Sequence, residues 1–245
     1  MLTSIKNIIN ITLLFSTVVL FSQSQNKVRI TYDVGMVAHK TGVSLTKGQK
    51  RYNDFVKSVA KKRYILDFRN DESIFYMNEK METDVNYKPD IISTFVGKGI
   101  YYYNAKSNKT LNQKNALGED FIIESNVKYN WKLSQEKKKI GNYICYKATT
   151  IEKFIDRKGG IKTKKIIAWY YPDISINIGI KDYHSLPGII IFLQVGDIYY
   201  ECVKIELNSK EKFNIEKPMK GRIISKKEYD NILKGDFEKR FGFKN

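Results

Sequence analysis

Beginning at Val28 the chain alternates apolar and polar residues with period two, Val28, Ile30, Tyr32, Val34 and Met36 falling on one face and Arg29, Thr31 and Asp33 on the other. That is the pattern of an antiparallel strand with one face in a core and one in water. Runs rich in β-branched and aromatic residues recur at Tyr64 to Phe68, Ser73 to Met77, Gly99 to Tyr103, Asp120 to Glu124, Tyr143 to Phe154, Ile166 to Tyr171, Ile189 to Leu193 and Ile198 to Leu207. Clusters of Gly, Asn, Asp and Lys separate them, as at Arg69-Asn70-Asp71, Asp156 to Gly160 and Gly196-Asp197. Nine strands with short connections predict a mainly β fold of the α+β kind, a curved antiparallel sheet or open barrel-like wrap with one or two packed helices.

The helices are predicted where the period changes. Tyr52, Phe55, Val56 and Val59 recur at i, i+3, i+4 and i+7, one face of a helix. Near the end, Ser225-Lys226-Lys227-Glu228 has the form of a capping box, followed by Tyr229, Ile232, Leu233 and Phe237 on a single stripe. Such a stripe ordinarily joins a surface helix to a core, so a C-terminal helix is expected to dock on the sheet.

At the other end, Lys6 precedes the uncharged, apolar stretch Asn7 to Phe21 and the small polar exit Ser22-Gln23-Ser24-Gln25. This reads as an export signal over residues 1–24, cleaved between Ser22 and Gln25, with one β-rich domain over residues 25–245. An uncleaved anchor is the alternative, and Asn10, Thr12, Ser16 and Thr17 make the stretch a poor membrane span. The expected location is the periplasm, the outer-membrane surface or the exterior.

The strongest local motif is Tyr183-His184-Ser185-Leu186-Pro187-Gly188, which runs into the apolar Ile189-Ile190-Ile191-Phe192-Leu193. Pro187 and Gly188 fit positions i+1 and i+2 of a type II turn, and the apolar run fits a strand buried on both faces. With Trp131, Ile140, Gly141, Tyr143, Cys145, Lys147 and Ala148, and with Ala168, Trp169, Tyr170, Ile174, Ile176 and Gly179, the stretch from Trp131 to Leu193 resembles the GLPGLI family. The resemblance implies a secreted protein of Gram-negative bacteria with undefined molecular activity. Here Ser185 stands where the family has its first Gly, Ser175 where a Pro is usual, and Ile180 where a Gly-Pro pair ends. Only Gly188 is therefore expected to need a positive φ.

Charge adds a partner class. The formal net charge is +17, or +16 once Lys6 leaves with the signal. Lysines are spread through Lys61-Lys62-Arg63, Lys137-Lys138-Lys139, Lys162 to Lys165 and Lys226-Lys227. They read first as a solvated basic surface and second as a site for lipid headgroups or surface polysaccharide, whereas export argues against nucleic acid.

Catalytic groups are few. His39 and His184 are the only histidines, and neither a His-Glu-x-x-His spacing nor a Cys-x-x-Cys pair occurs, so no metal or other cofactor is predicted. Asp182 and His184 sit at strand spacing, where the carboxylate could orient the imidazole, and Ser185 completes the residue types of a hydrolase. Neighbours on a strand diverge, however, and no Gly-x-Ser-x-Gly elbow is present. Gly97-x-Gly99 lacks the third glycine of a phosphate cradle. Cys145 and Cys202 allow one disulfide in an oxidising compartment, or two separate buried thiols.

The remaining signal is aromatic: Tyr101-Tyr102-Tyr103, Trp131, Trp169-Tyr170-Tyr171 and Tyr199-Tyr200. Rings on the concave side of a curved sheet could enclose a lipid, and rings that pack on one another would simply be core. The expectation is an exported, non-catalytic binder or carrier of a hydrophobic or anionic envelope component. The alternatives are a scaffold that binds an envelope protein partner, and an envelope hydrolase using Asp182, His184 and Ser185.

Overall fold

The computed structural model describes residues 27–37, 53–57, 59, 62–78, 97, 99–156 and 160–242. Within them run β1 (Val28–Met36), β2 (Arg63–Arg69), β3 (Glu72–Met77), β4 (Ile100–Asn104), β5 (Lys109–Ala116), β6 (Glu119–Ser125), β7 (Lys132–Ile140), β8 (Tyr143–Ile155), β9 (Ile161–Tyr171), β10 (Ile189–Val195), β11 (Ile198–Leu207), β12 (Arg222–Ser225) and the helix α1 (Lys226–Phe241). Residues 53–57 and 59 are also helical; Val59 is fully buried, and Phe55 and Val56 pack against the core. Tyr52, His39 and the export signal lie outside the described residues.

The strands form one sheet in the order β12-β6-β5-β4-β3-β2-β1-β11-β10-β9-β8-β7. From β1 at the middle, the chain meanders out to β6, reappears at the far edge as β7, and meanders back to pair β11 with β1. Ten strand spacings separate β6 from β7, about 48 Å if the sheet were flat. The link between them, residues 126–131, spans at most about 25 Å when fully extended. The sheet must therefore curl until its two ends approach, which is the open wrap expected from the strand pattern.

All nine expected strands are present, and three more complete the sheet. β5 and β7 carry mostly polar residues (Lys-Thr-Leu-Asn-Gln-Lys-Asn-Ala and Lys-Leu-Ser-Gln-Glu-Lys-Lys-Lys-Ile), and pairing, not patterning, makes them strands. β12 has only four residues and pairs with β6 in parallel, so the sheet is mixed instead of wholly antiparallel. The capping box is formed: the Ser225 hydroxyl accepts from the Glu228 amide, and Glu228 accepts from the Ser225 amide. Tyr229 and Ile232 of α1 pack on Phe121, Ile123 and Ile224 of β6 and β12, while Leu233 of the expected stripe is 37% exposed.

The interior of the wrap is filled by aromatic rings. Tyr64 stacks on Phe75 at 4.9 Å, and Tyr200 meets both edge-on at 5.5 and 5.9 Å. Tyr32 reaches across to the Ile190 carbonyl at 2.8 Å, which satisfies its buried hydroxyl. The three consecutive tyrosines of β4 are all buried because both faces of that strand are covered: Tyr101 joins the main core, while Tyr102 lies with Leu111 and Ile122 under Phe213 and Ile215 of the segment between β11 and β12. At the middle of the sheet Arg29 and the buried Asp67, cross-strand partners, form a bidentate pair at 2.6 and 2.9 Å, and Tyr76 donates to the same carboxylate at 3.1 Å.

Candidate functional site

The motif segment, residues 172–188, connects β9 to β10 and folds into the mouth of the wrap. Ile178, Ile180, Tyr183, His184 and Leu186 are all buried. Two glycines permit this through close backbone approach: a Cβ on Gly179 would lie 1.6 Å from the Tyr183 carbonyl oxygen, and one on Gly188 would lie 2.2 Å from that of Tyr171. Gly188 also has φ +143°. The turn differs from the expected type II: the Gly188 amide donates to the Leu186 carbonyl at 2.8 Å, an i→i+2 bond that suits Pro187 at the centre of an inverse γ-turn. The Ile189 amide instead donates to the Ile174 carbonyl at 3.2 Å, tying the end of the segment to its beginning.

Gly188 is not alone in needing a positive φ. Ser185 sits at φ +70° and Lys181 at φ +58°. Non-glycine residues in this region carry strain of order 1 kcal/mol. The φ of Ser185 also overturns the strand geometry expected of its neighbours: instead of diverging, His184 Nδ1 and Ser185 Oγ lie 2.8 Å apart.

His184 is 3% exposed, not a surface residue of a turn; its ring stacks on Tyr103 at 4.0 Å, and its carbonyl accepts from the Trp131 indole at 2.9 Å. Burial lowers its pKa to about 4, so the imidazole is neutral at pH 7. Asp182 does not orient it. The Asp182 Oδ1 atom is buried with no hydrogen-bond partner, and burial raises the carboxyl to about 6, opposed by Lys226, Lys181 and Lys114. The three hydrolase candidates thus divide into a Ser-His contact and a separate carboxyl.

That carboxyl belongs to a cluster at the seam where the sheet ends meet. The Tyr183 hydroxyl donates to Glu152 Oε2, which Lys164 also approaches at 3.2 Å, and the Tyr129 ring tilts against Tyr183 at 4.9 Å. Lys114 lies 4.4 Å over the Tyr229 ring, and burial lowers its pKa. Lys181 lies 4.8 Å from the Tyr200 ring; burial, reinforced by Lys164, lowers it to about 7. Outside this cluster opens a cleft of about 230 Å³. Its walls include Lys128 and Tyr129 of the β6–β7 link, Thr150, Glu152 and Lys153 of β8, and Lys226 of α1. Sequence reading missed it because its residues come from three separated segments, none with a motif of its own.

The cysteines are unbridged. Cys145 is fully buried and Cys202 partly so, each sulfur lying 3.7 Å from a local carbonyl, and burial pushes the thiols up to about 11 and about 12. Neither is an activated thiolate. Ala148, Trp169, Tyr170 and Leu186 are buried in the core, with Trp131 and Tyr143 packed against it.

Lysine is concentrated at one end of the sheet. Strands β7 to β9 carry nine lysines and two glutamates. Lys147 pairs with Glu136 at 2.6 Å, Lys164 with Glu152, and Lys162 with Asp156. Among the described residues Lys132, Lys137, Lys138, Lys139, Lys153 and Lys165 have no acidic partner, and all six are exposed. Leu133, Ile144, Ile151 and Ile161, 56 to 76% exposed, lie on the same three strands. Lys137 and Lys138 approach the rings of Tyr146 and Trp169 at 5.1 and 5.7 Å.

Fold and surface together define a wrapped mixed β-sheet domain with one basic, partly apolar end. Residues 131–161 match a family described as a protein of unknown function (Porph_ging). No curated protein matches the chain. Among solved structures it is similar to one described as "Structure of PNGF-II in P21 space group", with a TM-score of 0.50 and 15% identity over 85% of this chain and 33% of that one. A second, "Structure of PNGF-II in C2 space group", gives 0.49 and 14% over 86% and 32%. The chain spans about a third of the length of these structures, and the likeness is one of fold.

Proposed function

We propose that this is an exported, non-catalytic envelope module of the GLPGLI type that binds an anionic, partly apolar component of the envelope, presented as a lipid surface, through the exposed face of β7 to β9. The observation that carries this reading is the set of four exposed lysines without acidic partners that the strand registers put on one face, Lys132, Lys138, Lys153 and Lys165, together with exposed Ile151 and Ile161 on the same face. Each lysine near an anionic headgroup layer contributes about 1 kcal/mol, and the aliphatic side chains gain by entering the layer's apolar boundary. An internal lipid cargo is disfavoured, because Tyr32, Tyr64, Phe75 and Tyr200 occupy the wrap by packing on one another. The same lysines keep the edge strand β7 from pairing with a second sheet. Hydrolysis is disfavoured by the separation of Asp182 from His184.

The test is sedimentation of the processed protein with vesicles of phosphatidylglycerol and phosphatidylcholine, against vesicles of phosphatidylcholine alone. Binding should require the anionic lipid and weaken steeply between 50 and 500 mM salt, about a threefold shortening of the screening length. Equal binding to both vesicles, or none to either, would remove the lipid surface as the partner.

A further inference from the structure

We infer that the free end of the β8–β9 hairpin is the part of the molecule that enters the anionic lipid layer, with Ile151 and Ile161 as its apolar anchors; this rests on the lipid contact proposed above. β7 begins level with Thr149, and β10 ends level with Ile166. Beyond those positions β8 and β9 pair only with each other, in five register pairs from Ile151 with Lys165 to Ile155 with Ile161, a ribbon about 14 Å long. Successive residues alternate faces and cross-strand partners share one. Ile151, Lys153, Ile161, Thr163 and Lys165 therefore lie on one face, and Glu152, Phe154 and Lys164 on the other. The first five are all exposed, Ile151 by 64% and Ile161 by 76%.

A two-stranded ribbon alone in water is only marginally stable, and this one is held from behind. The Tyr183 hydroxyl donates to Glu152, and Lys164 pairs with the same carboxylate at 3.2 Å while lying 5.3 Å over the Phe154 ring. The end is closed by the Asp156 amide donating to the Gly160 carbonyl and the Gly160 amide donating to Asp156 Oδ1, both at 2.8 Å. The outer face is thus fixed in place, with two isoleucines that join no core cluster. The same geometry limits the depth. Both edges of the ribbon carry backbone N–H and C=O groups that face no neighbouring strand, and such groups do not enter hydrocarbon unpaired. The ribbon therefore stops about 5 to 10 Å into the layer, at the boundary of headgroups and acyl chains, where Lys153 and Lys165 keep their ammonium groups among the headgroups. Lys132 and Lys138, on the same face of the sheet proper, stay at the headgroup plane, and Leu133, on the opposite face, stays out.

Tryptophan quenching by brominated lipids tests the assignment in the processed protein. Ile161→Trp and Leu133→Trp are each compared with the parent on vesicles of phosphatidylglycerol and phosphatidylcholine carrying bromine at acyl carbons 6 and 7, or at 11 and 12. The quenching gained over the parent should be at least twofold larger for Ile161→Trp than for Leu133→Trp, and larger with the shallow bromines than with the deep ones. In sedimentation with the unbrominated vesicles, Ile151→Ser with Ile161→Ser should weaken binding about tenfold, while Leu133→Ser with Ile144→Ser, on the opposite face, should leave it within twofold; matched circular dichroism spectra check that each variant folds. Vesicle binding by the parent with no quenching gained at Ile161→Trp, with equal quenching at Leu133→Trp, or with stronger quenching by the deep bromines would overturn entry of the ribbon and leave the basic contact standing. Failure of the parent to bind the vesicles at all would remove both.

Discussion

The two ends of the sheet use charge in opposite ways. On β4 to β6 there are two lysines against three acids, and neighbouring groups complete the pairing: Lys109 with Glu124 at 2.6 Å, Lys220 with Asp120 at 3.2 Å, and Arg222 with Glu119 at 2.7 Å. That end is also covered on both faces, by α1 on one side and by Phe213 and Ile215 on the other. On β7 to β9 lysines outnumber acids, most of them unpaired, and aliphatic side chains stand exposed. A protein that needed its charge only for solubility would gain nothing by leaving one end paired and covered and the other basic and bare. This asymmetry is the basis of the surface contact proposed for β7 to β9.

The motif segment joins these two ends, and breaking it should have the largest effect. Gly179→Ala or Gly188→Ala places a Cβ into backbone atoms and should cost at least about 4 kcal/mol, seen as loss of a cooperative urea transition. Gly118→Ala, in the β5–β6 turn with φ +83° and open space around its Cβ, should cost only about 1 kcal/mol.

A smaller effect separates the two buried acid–base groups of the segment. His184 is lowered from 6.5 to about 4, so its contribution to stability is full above 6.5 and falls as pH drops toward 4, by about 3 kcal/mol. Asp182 is raised from 3.8 to about 6, so its contribution is full below 3.8 and is lost as pH rises through 6, by up to about 2 kcal/mol after allowance for its partial exposure. The two oppose each other between pH 4 and 6. Urea denaturation across that window should show stability falling with pH in His184→Phe and rising with pH in Asp182→Asn; identical slopes in the two variants would refute the assignment.

Smaller still are the local contacts. Trp131→Phe removes the hydrogen bond to the His184 carbonyl and should cost about 1 to 2 kcal/mol. Ser185→Gly relieves the left-handed strain while losing the Oγ contact to His184, and should stabilise the fold by up to about 1 kcal/mol, read as a higher Tm.

Much of the fold is legible along the chain because burial patterns β1, β2, β3, β8, β10 and β11 with apolar residues at regular spacing, and because Ser225 and Glu228 announce the helix they cap. β5 and β7 were not legible: a strand such as Lys132–Ile140 is held by its pairing with β8, and its sequence carries no apolar period. The four-residue parallel pairing of β12 depends on where the chain returns, which no local pattern encodes. The Pro187-Gly188 turn is placed correctly but its type differs: type II would bond the Ile189 amide to the Leu186 carbonyl, whereas the Gly188 amide takes that carbonyl and Ile189 bonds to Ile174. Ser185 misled because a non-glycine residue was assumed to avoid positive φ, whereas the packed segment imposes it. The seam cleft depends on three segments, 20 or more positions apart, brought together by the wrap, so no sequence spacing could show it.

The asymmetry between the ends is tested most directly by comparing two triple variants in binding to phosphatidylglycerol vesicles at low salt. Lys132→Gln, Lys138→Gln and Lys165→Gln together, which the registers place on one face, should weaken binding by about 3 kcal/mol, roughly 100-fold, while Lys106→Gln, Lys109→Gln and Lys220→Gln together should leave it within about threefold of the parent. Equal losses from the two ends would mean that net charge alone drives adsorption, and would contradict the account.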